Sequence, residues 1–467
     1  MEIITNGHAD RYSIEQVSCL FFPNDTEIEV FSDYIKGDNP RIYTRLNYNG
    51  EIAEEVYSVS DCLSEKQLKN SIKKSMFLAC KKLFNRQTPW GVLTGIRPTK
   101  FVRNLLKDNS REEVLDILTN EYWVSGEKAE FCLEVSENSL PIINSIRRNS
   151  VGLYVGIPFC PSRCSYCSFI SESYALHKNL ISEYVKAVNK ELIYTAKLAR
   201  ELWLKIDSIY IGGGTPTVFE KELLESIINC IESNFDLSLC REFTVEAGRP
   251  DSINFEMLKM FNKHLVSRIC INPQTMNDST LKIIGRNHTS DDFLRAFNLA
   301  RELGFNNINT DIIAGLPFET KEMFDYTLEK IEQLNPESLT VHTLYIKRAS
   351  RLNKEKLHLT EPPVDDMLNS CFKYAKENEY RPYYMYKQRS TSGNLENTGY
   401  AKIGYESYYN VGIMEEVQTI FAVGAGASSK LVKGSEISRI YNNKDPKMYI
   451  DTIDDIIHKK EHILGLF

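Results

Sequence analysis

Long apolar runs are missing from this 467-residue chain: none approaches the roughly 20 residues a membrane helix needs. The opening Met-Glu-Ile-Ile-Thr-Asn-Gly-His-Ala-Asp also lacks the basic start and apolar core of a secretion signal. There is no basic excess. Lys plus Arg number 56 against 63 Asp plus Glu, a formal net charge of -7, so the chain as a whole has no electrostatic reason to bind nucleic acid or an anionic membrane. Neither a Walker A run nor the G-x-G-x-x-G dinucleotide spacing is present. The expectation is a cytoplasmic protein without nucleic-acid or membrane partners. The eleven cysteines are an odd number. Outside one triplet they lie scattered at 19, 62, 80, 132, 230, 240, 270 and 371, which in a reducing cytosol reads as buried thiols rather than disulfides. At 42% hydrophobic and 25% charged the chain is globular, and long enough for two or three domains.

The triplet is Cys160, Cys164 and Cys167, spaced C-x3-C-x2-C in Gly-Ile-Pro-Phe-Cys-Pro-Ser-Arg-Cys-Ser-Tyr-Cys-Ser-Phe. A [4Fe–4S] cluster normally takes four thiolates. Three close thiolates with no fourth point to a cluster that keeps one iron open. Two plainer readings stand beside it. Cysteine packs as a small buried hydrophobe, and this spacing would line one helix face, although Pro158 and Pro161 oppose a continuous helix. Structural zinc usually wants four ligands, and the nearest histidine is His177.

From residue 151 short apolar runs alternate with amphipathic ones. Strands are expected at Leu153–Ile157, Ser208–Ile211, Glu242–Glu246, Arg268–Ile271, Asn307–Ile313 and Ser338–Tyr345, with helices between them. Six β/α units of this kind curl into a barrel or part of one, with chemistry at the C-terminal strand ends. The fold class is therefore α/β: an N-terminal α+β domain over 1–147, a partial (β/α)6 barrel over 148–348, and a mostly helical C-terminal cover over 349–467. In the first domain, residues 15–22 and 26–34 read as strands, and 65–85 and 111–147 as helical. The stretch Trp90–Lys100 reads as an ordered loop, either a connector or an anion-binding turn. The glycine-rich run Gly424–Ser428 is a candidate for close approach to a ligand.

Gly212-Gly213-Gly214-Thr215-Pro216 follows the second strand. Glycines let backbone approach a ligand closely. By itself the run reads as a tight turn. Placed one β/α unit after the three cysteines, it makes the chain resemble the radical S-adenosylmethionine (SAM) superfamily. The resemblance covers roughly 151–345. It implies a [4Fe–4S] cluster on Cys160, Cys164 and Cys167, with SAM on the open iron, its amino group held by Gly213, Gly214 and Thr215. Within the superfamily, Tyr154-Val-Gly-Ile-Pro-Phe-Cys160 is similar to the opening of oxygen-independent coproporphyrinogen III oxidases, with Gly156 where they have histidine. That similarity implies a reaction-centre role for Tyr154 and cofactor contacts by Tyr166, Glu246, Gln274, Arg286 and Asp311. Each is a residue of ordinary roles, a cap, an ion-pair partner or a surface charge, when taken singly. Gly91–Lys100 and Tyr386–Tyr400 resemble the branch with an extended N-terminal region, the HemZ-type coproporphyrinogen dehydrogenases.

The implied activity is anaerobic conversion of coproporphyrinogen III to protoporphyrinogen IX. The implied partners are the porphyrinogen and a low-potential electron donor such as a flavodoxin or ferredoxin, the enzyme acting as a monomer. Arg163, Arg249, Arg348 and Lys387 are candidate cations for the substrate's propionates. Two departures qualify the match. Phe169 stands where well-described oxidases carry a further cysteine, and the His-Asn-x-x-Tyr-Trp signature of related haem chaperones is missing. The alternatives are a haem-delivery protein without oxidase activity and a radical methyltransferase that opens the haem ring.

Overall fold

The computed structural model describes residues 1–22, 27–95, 97–167, 172–345, 363–388, 394–434 and 436–465. They form two compact units, Met1–Glu134 with Lys387–Leu395, and Val135–Tyr386 with Glu396–Phe467. Within the described residues no helix is long and apolar enough to cross a membrane.

The first unit holds a four-stranded sheet, β1 (Glu2–Asn6), β2 (Glu29–Ile35), β3 (Arg41–Tyr48) and β4 (Glu51–Ser58), in sequence order. β1 is parallel to β2 and the rest are antiparallel. In β3 the alternating Ile42, Thr44 and Leu46 are buried. Ile42 and Leu46 share a core with Ile72, Met76 and Phe77 of helix Glu65–Phe84, whose start is fixed by a capping box between Ser64 and Gln67. Residues 15–22, expected as a strand, are a correction: helix Arg11–Ser18 runs into a turn here. Asp10 caps it by accepting from Ser13 N, and Ile14, Val17 and Phe21 enter the core at helical spacing. Composition pointed to a strand, but the period decides. The Trp90–Lys100 stretch ends in helix Pro98–Leu105, with proline at its first position. Trp90 is buried. The Lys387 ammonium lies 5.0 Å from its ring centroid and donates to Leu93 O at 2.9 Å.

The second unit is built on an eleven-stranded sheet. β5 (Ser150–Ile157) leads into a two-residue pairing of β6 (Phe159–Cys160) with β7 (Glu172–Ser173). Then come β8 (Lys205–Gly213), β9 (Glu242–Glu246), β10 (Arg268–Cys270), β11 (Ile308–Ala314) and β12 (Ser338–Thr343). β5 and β8 to β12 are parallel neighbours in that order, joined by helices, which gives the expected α/β partial barrel. Every residue of β5 except Tyr154 is buried, as a strand covered on both faces requires.

The C-terminal region adds strands to the helices expected there. β13 (Arg381–Lys387) and β14 (Glu396–Ala401) continue the sheet beyond β12, while β15 (Ile420–Val423), β16 (Ser428–Lys433) and β17 (Glu436–Tyr441) continue it beyond β5. These strands cover the backbone edges that a six-stranded partial barrel would otherwise leave unpaired. A buried ion pair pins the C-terminal α-helix Ile453–Lys460 to helix Ile181–Glu201. Lys460 Nζ lies 2.8 Å from Glu191 Oε1, with side chains 1% and 0% exposed. Lys460 also donates to Thr195 Oγ1 and Ala422 O. Glu191 also accepts from Gly424 N, Asn442 Nδ2 and Tyr449 Oη. All three ammonium protons are used.

Candidate active site

The cysteine loop leaves the C-terminal end of β5. Hydrogen bonds from Glu172 N to Pro158 O (2.7 Å) and from Tyr174 N to Cys160 O (2.9 Å) tie its two ends together. Cys167 N donates to Cys164 O at 3.2 Å, closing a turn. Two of the sulfurs face donors. Thr215 Oγ1 lies 3.5 Å from Cys160 Sγ, and Arg249 Nη1 lies 3.7 Å from Cys164 Sγ and 3.1 Å from Ser162 Oγ. The Thr215 donor favours the thiolate of Cys160. Burial pushes the Cys160 thiol up, and the Thr215 hydrogen bond acts against that. Tyr166 packs on Leu281, Ile284, Ile313, Leu316 and Leu344.

β8 runs directly into the glycine segment. Gly213 has φ +107°, a conformation that side chains disfavour. A Cβ on Gly214 would stand 2.5 Å from Phe159 O and 2.9 Å from Ile157 O. Gly214 N donates to Ile157 O and Thr215 N to Phe159 O, each at 2.7 Å, so the glycine segment is laced onto the chain that enters Cys160.

Deeper in the barrel, side chains from successive strands form one polar chain. Tyr210 donates to Glu246 Oε1. Asn272 Nδ2 lies 3.5 Å from Glu246 Oε2 and 2.9 Å from Asp311 Oδ2. Asn309 donates to Asp311 Oδ1 at 2.7 Å, and His342 Nε2 lies 3.6 Å from Asp311 Oδ2. The rings of Tyr154, Tyr210 and Tyr409 stack beside this chain. Burial and the neighbouring Asp311 push Glu246 up to about 7, against the Tyr210 hydrogen bond and the charges of Arg268 and His342. For Asp311, burial is outweighed by His342 and by hydrogen bonds from Asn309 and Thr340, so its carboxyl is held below the usual range.

The raised Glu246 has a consequence for stability. Folded protein holds a proton that the unfolded chain has released, so this contribution is complete below pH 4.5 and is lost as pH rises through about 7. Glu246→Gln is therefore expected to gain stability relative to the parent between about pH 5 and about pH 8 in urea unfolding. A difference that does not change with pH would contradict the raised carboxyl.

Gln274 and Arg286 complete the arc. Gln274 is a non-glycine residue at φ +69°. Its N donates to Asp311 O and its O accepts from Ile313 N, while its side-chain Oε1 is buried without a partner. Strain combined with an orphaned acceptor marks a position shaped for a ligand. Arg286 is buried, gives Nη1 to Asn272 O at 2.6 Å, and keeps an unpartnered Nε.

A profile of the radical SAM superfamily matches residues 154–331. The oxygen-independent coproporphyrinogen-III oxidase-like protein HemZ of Bacillus subtilis (strain 168) is 40% identical over 380 residues, 79% of this chain and 76% of that protein. The chain belongs to this coproporphyrinogen-III oxidase-like family of radical SAM proteins. The heme chaperone HemW of B. subtilis is 32% identical over 308 residues, 64% of this chain and 75% of its own. The coproporphyrinogen III oxidase HemN of Escherichia coli, described as a radical SAM enzyme, shares the fold. Its TM-score is 0.53 at 22% identity, covering 68% of this chain and 72% of that one.

Radical SAM proteins hold a [4Fe–4S] cluster and SAM, and the residues present fit both. Three thiols share one loop, a glycine cradle lies on that loop, and unpartnered polar atoms of Gln274 and Arg286 stand on the same arc. Among the described residues no three of His, Cys, Asp and Glu converge as a single ion requires. A cluster takes one thiolate per iron and spreads its ligands more widely.

Several of the family residues expected from sequence meet here, and others lie elsewhere. Arg249, a candidate for the substrate, is bidentate to Asp251 and turned onto the cysteine loop. Lys387 is engaged at Leu93, Arg163 is exposed, and Phe169 and Arg348 lie outside the described residues. The glycine run at 424 binds inward. Gly424 N, Ala425 N and Gly426 N donate to Glu191, Tyr184 Oη and Asn443 O. Tyr210, Asn272 and His342 were missed. Each sits at an inward position of a barrel strand or just past its end, the signal that marked Glu246 and Asp311.

Proposed function

We propose that this chain carries out oxygen-independent oxidative decarboxylation of coproporphyrinogen III to protoporphyrinogen IX. When bound, the reduced cluster and SAM supply a 5′-deoxyadenosyl radical that removes hydrogen from a propionate side chain. In this reading Cys160, Cys164 and Cys167 hold three irons. Gly213, Gly214 and Thr215 offer backbone to the methionyl amine of SAM, and Glu246 accepts from that ammonium or a ribose hydroxyl. Arg286 pairs the SAM carboxylate. Gln274 and Asp311 take the ribose, Tyr154 lies by the reacting centre, and Tyr166 braces the cysteine loop. The barrel wall excludes water from a reactive species. A low-potential donor of flavodoxin or ferredoxin type supplies the electron, and the enzyme acts as a monomer.

The observation that carries the reading is the convergence of cysteine loop, glycine cradle and paired carboxylates at the C-terminal ends of the barrel strands. Anaerobic incubation of reconstituted protein with SAM, a reductant and coproporphyrinogen III should give the divinyl product and CO2. Haem binding without turnover would instead support haem delivery, the reading favoured by the likeness to HemW.

A second expected result concerns the cradle. Gly214→Ala drives a methyl group into the carbonyls of Ile157 and Phe159 on the chain that enters Cys160, an overpacking of about 1–3 kcal/mol. SAM affinity should fall roughly tenfold or more in an equilibrium titration. Unchanged affinity would remove the cradle role.

A further inference from the structure

The six barrel strands carry three basic residues, Lys205, Arg268 and His342. Lys205 opens β8, at the end away from the cysteine loop, and pairs with Asp236 at 3.1 Å. Arg268 is 1% exposed and gives Nη1 to Cys270 Sγ and Nη2 to Ser338 Oγ. His342 stands one residue from the C-terminal end of β12, and 30% of its side chain is exposed. Two of its ring contacts are long. Nδ1 lies 3.4 Å from Tyr386 Oη, and Nε2 lies 3.6 Å from Asp311 Oδ2, beyond a normal hydrogen bond.

The groups around this ring are acidic or phenolic. Asp311 faces it from β11, Glu246 from β9 and Tyr386 from β13, with the amide of Asn397 from β14. A substrate carboxylate entering this wall meets carboxyl groups on β9 and β11, and His342 of β12 is the basic group that faces them. We infer that His342, as an imidazolium with Asp311 as its counter-ion, receives a carboxylate of the substrate and so selects for acidic side chains. This rests on the porphyrinogen reading above. Burial opposes the charge on the ring, but Asp311 and then Glu246 outweigh it, so His342 stays protonated above its ordinary 6.5.

The test compares coproporphyrin III, a tetracarboxylate, with its tetramethyl ester, titrated by fluorescence against the reconstituted full chain. The parent should prefer the free acid, and lose that preference as pH rises through the His342 midpoint. His342→Gln should lose at least about tenfold of the preference at neutral pH. His342→Arg should keep it, and keep it at high pH, an outcome that a merely structural role for the ring does not give. Full preference in folded His342→Gln, or none in folded His342→Arg, would overturn the assignment and leave the porphyrinogen reading standing. If the parent binds neither compound, or does not favour the acid, both fail together.

Discussion

Cys164→Ala is expected to abolish the iron–sulfur absorbance of the reconstituted protein and, with it, SAM cleavage. A cluster that already leaves one iron without a protein ligand has no thiolate to spare. Cys164 is also the sulfur that faces the Arg249 guanidinium. No other cysteine can substitute locally: Cys270 and Cys371 are buried elsewhere, and burial raises both thiols. The exposed Cys62 serves as control, since Cys62→Ser should leave absorbance and iron content unchanged. Visible absorbance, iron content and 5′-deoxyadenosine release read the result. Retention of all three by Cys164→Ala would mean that this loop is not the cluster site.

Lys460→Met should lower stability by about 3–5 kcal/mol, because it leaves Glu191 buried without its counter-charge. The effect should not stay in the C-terminal helix. Glu191 accepts from Gly424 N, and Tyr184 from the same helix donates to Gly156 O at 2.6 Å, immediately before the turn into the cysteine loop. Replacing both partners by apolar residues, Lys460→Met with Glu191→Leu, should recover much of the loss, since the pair's desolvation cost disappears with it. Urea unfolding of parent, single and double variants measures this. A loss below about 1 kcal/mol in the single variant would contradict the buried pair. A double variant no better than the single would show that the other acceptor contacts of Glu191 matter more than its charge.

How legible the molecule was from sequence depended on whether a signal was local. The barrel strands and helices declared themselves by period, and strand Glu242–Glu246 has the expected bounds. The helix at Arg11–Ser18 did not, because β-branched and aromatic content outweighed a short helical period. The C-terminal strands were obscure for another reason. β15 pairs with β5 across more than 260 residues, and such partnerships leave no trace in local pattern. In the site, the cysteines and glycines stand in short runs and were readable. The chain from Tyr210 through Asn272 to His342 exists only once five strands are side by side. Arg249 illustrates the same limit: its charge suggested a role toward the substrate, but the fold turns it onto Cys164 and Asp251.

The most direct test of the central claim is the fate of one hydrogen. Coproporphyrinogen III deuterated at the propionate β-carbons, incubated anaerobically with reconstituted protein, SAM and reductant, should yield deuterated 5′-deoxyadenosine together with vinyl product. Unlabelled 5′-deoxyadenosine and untouched porphyrinogen would contradict the account.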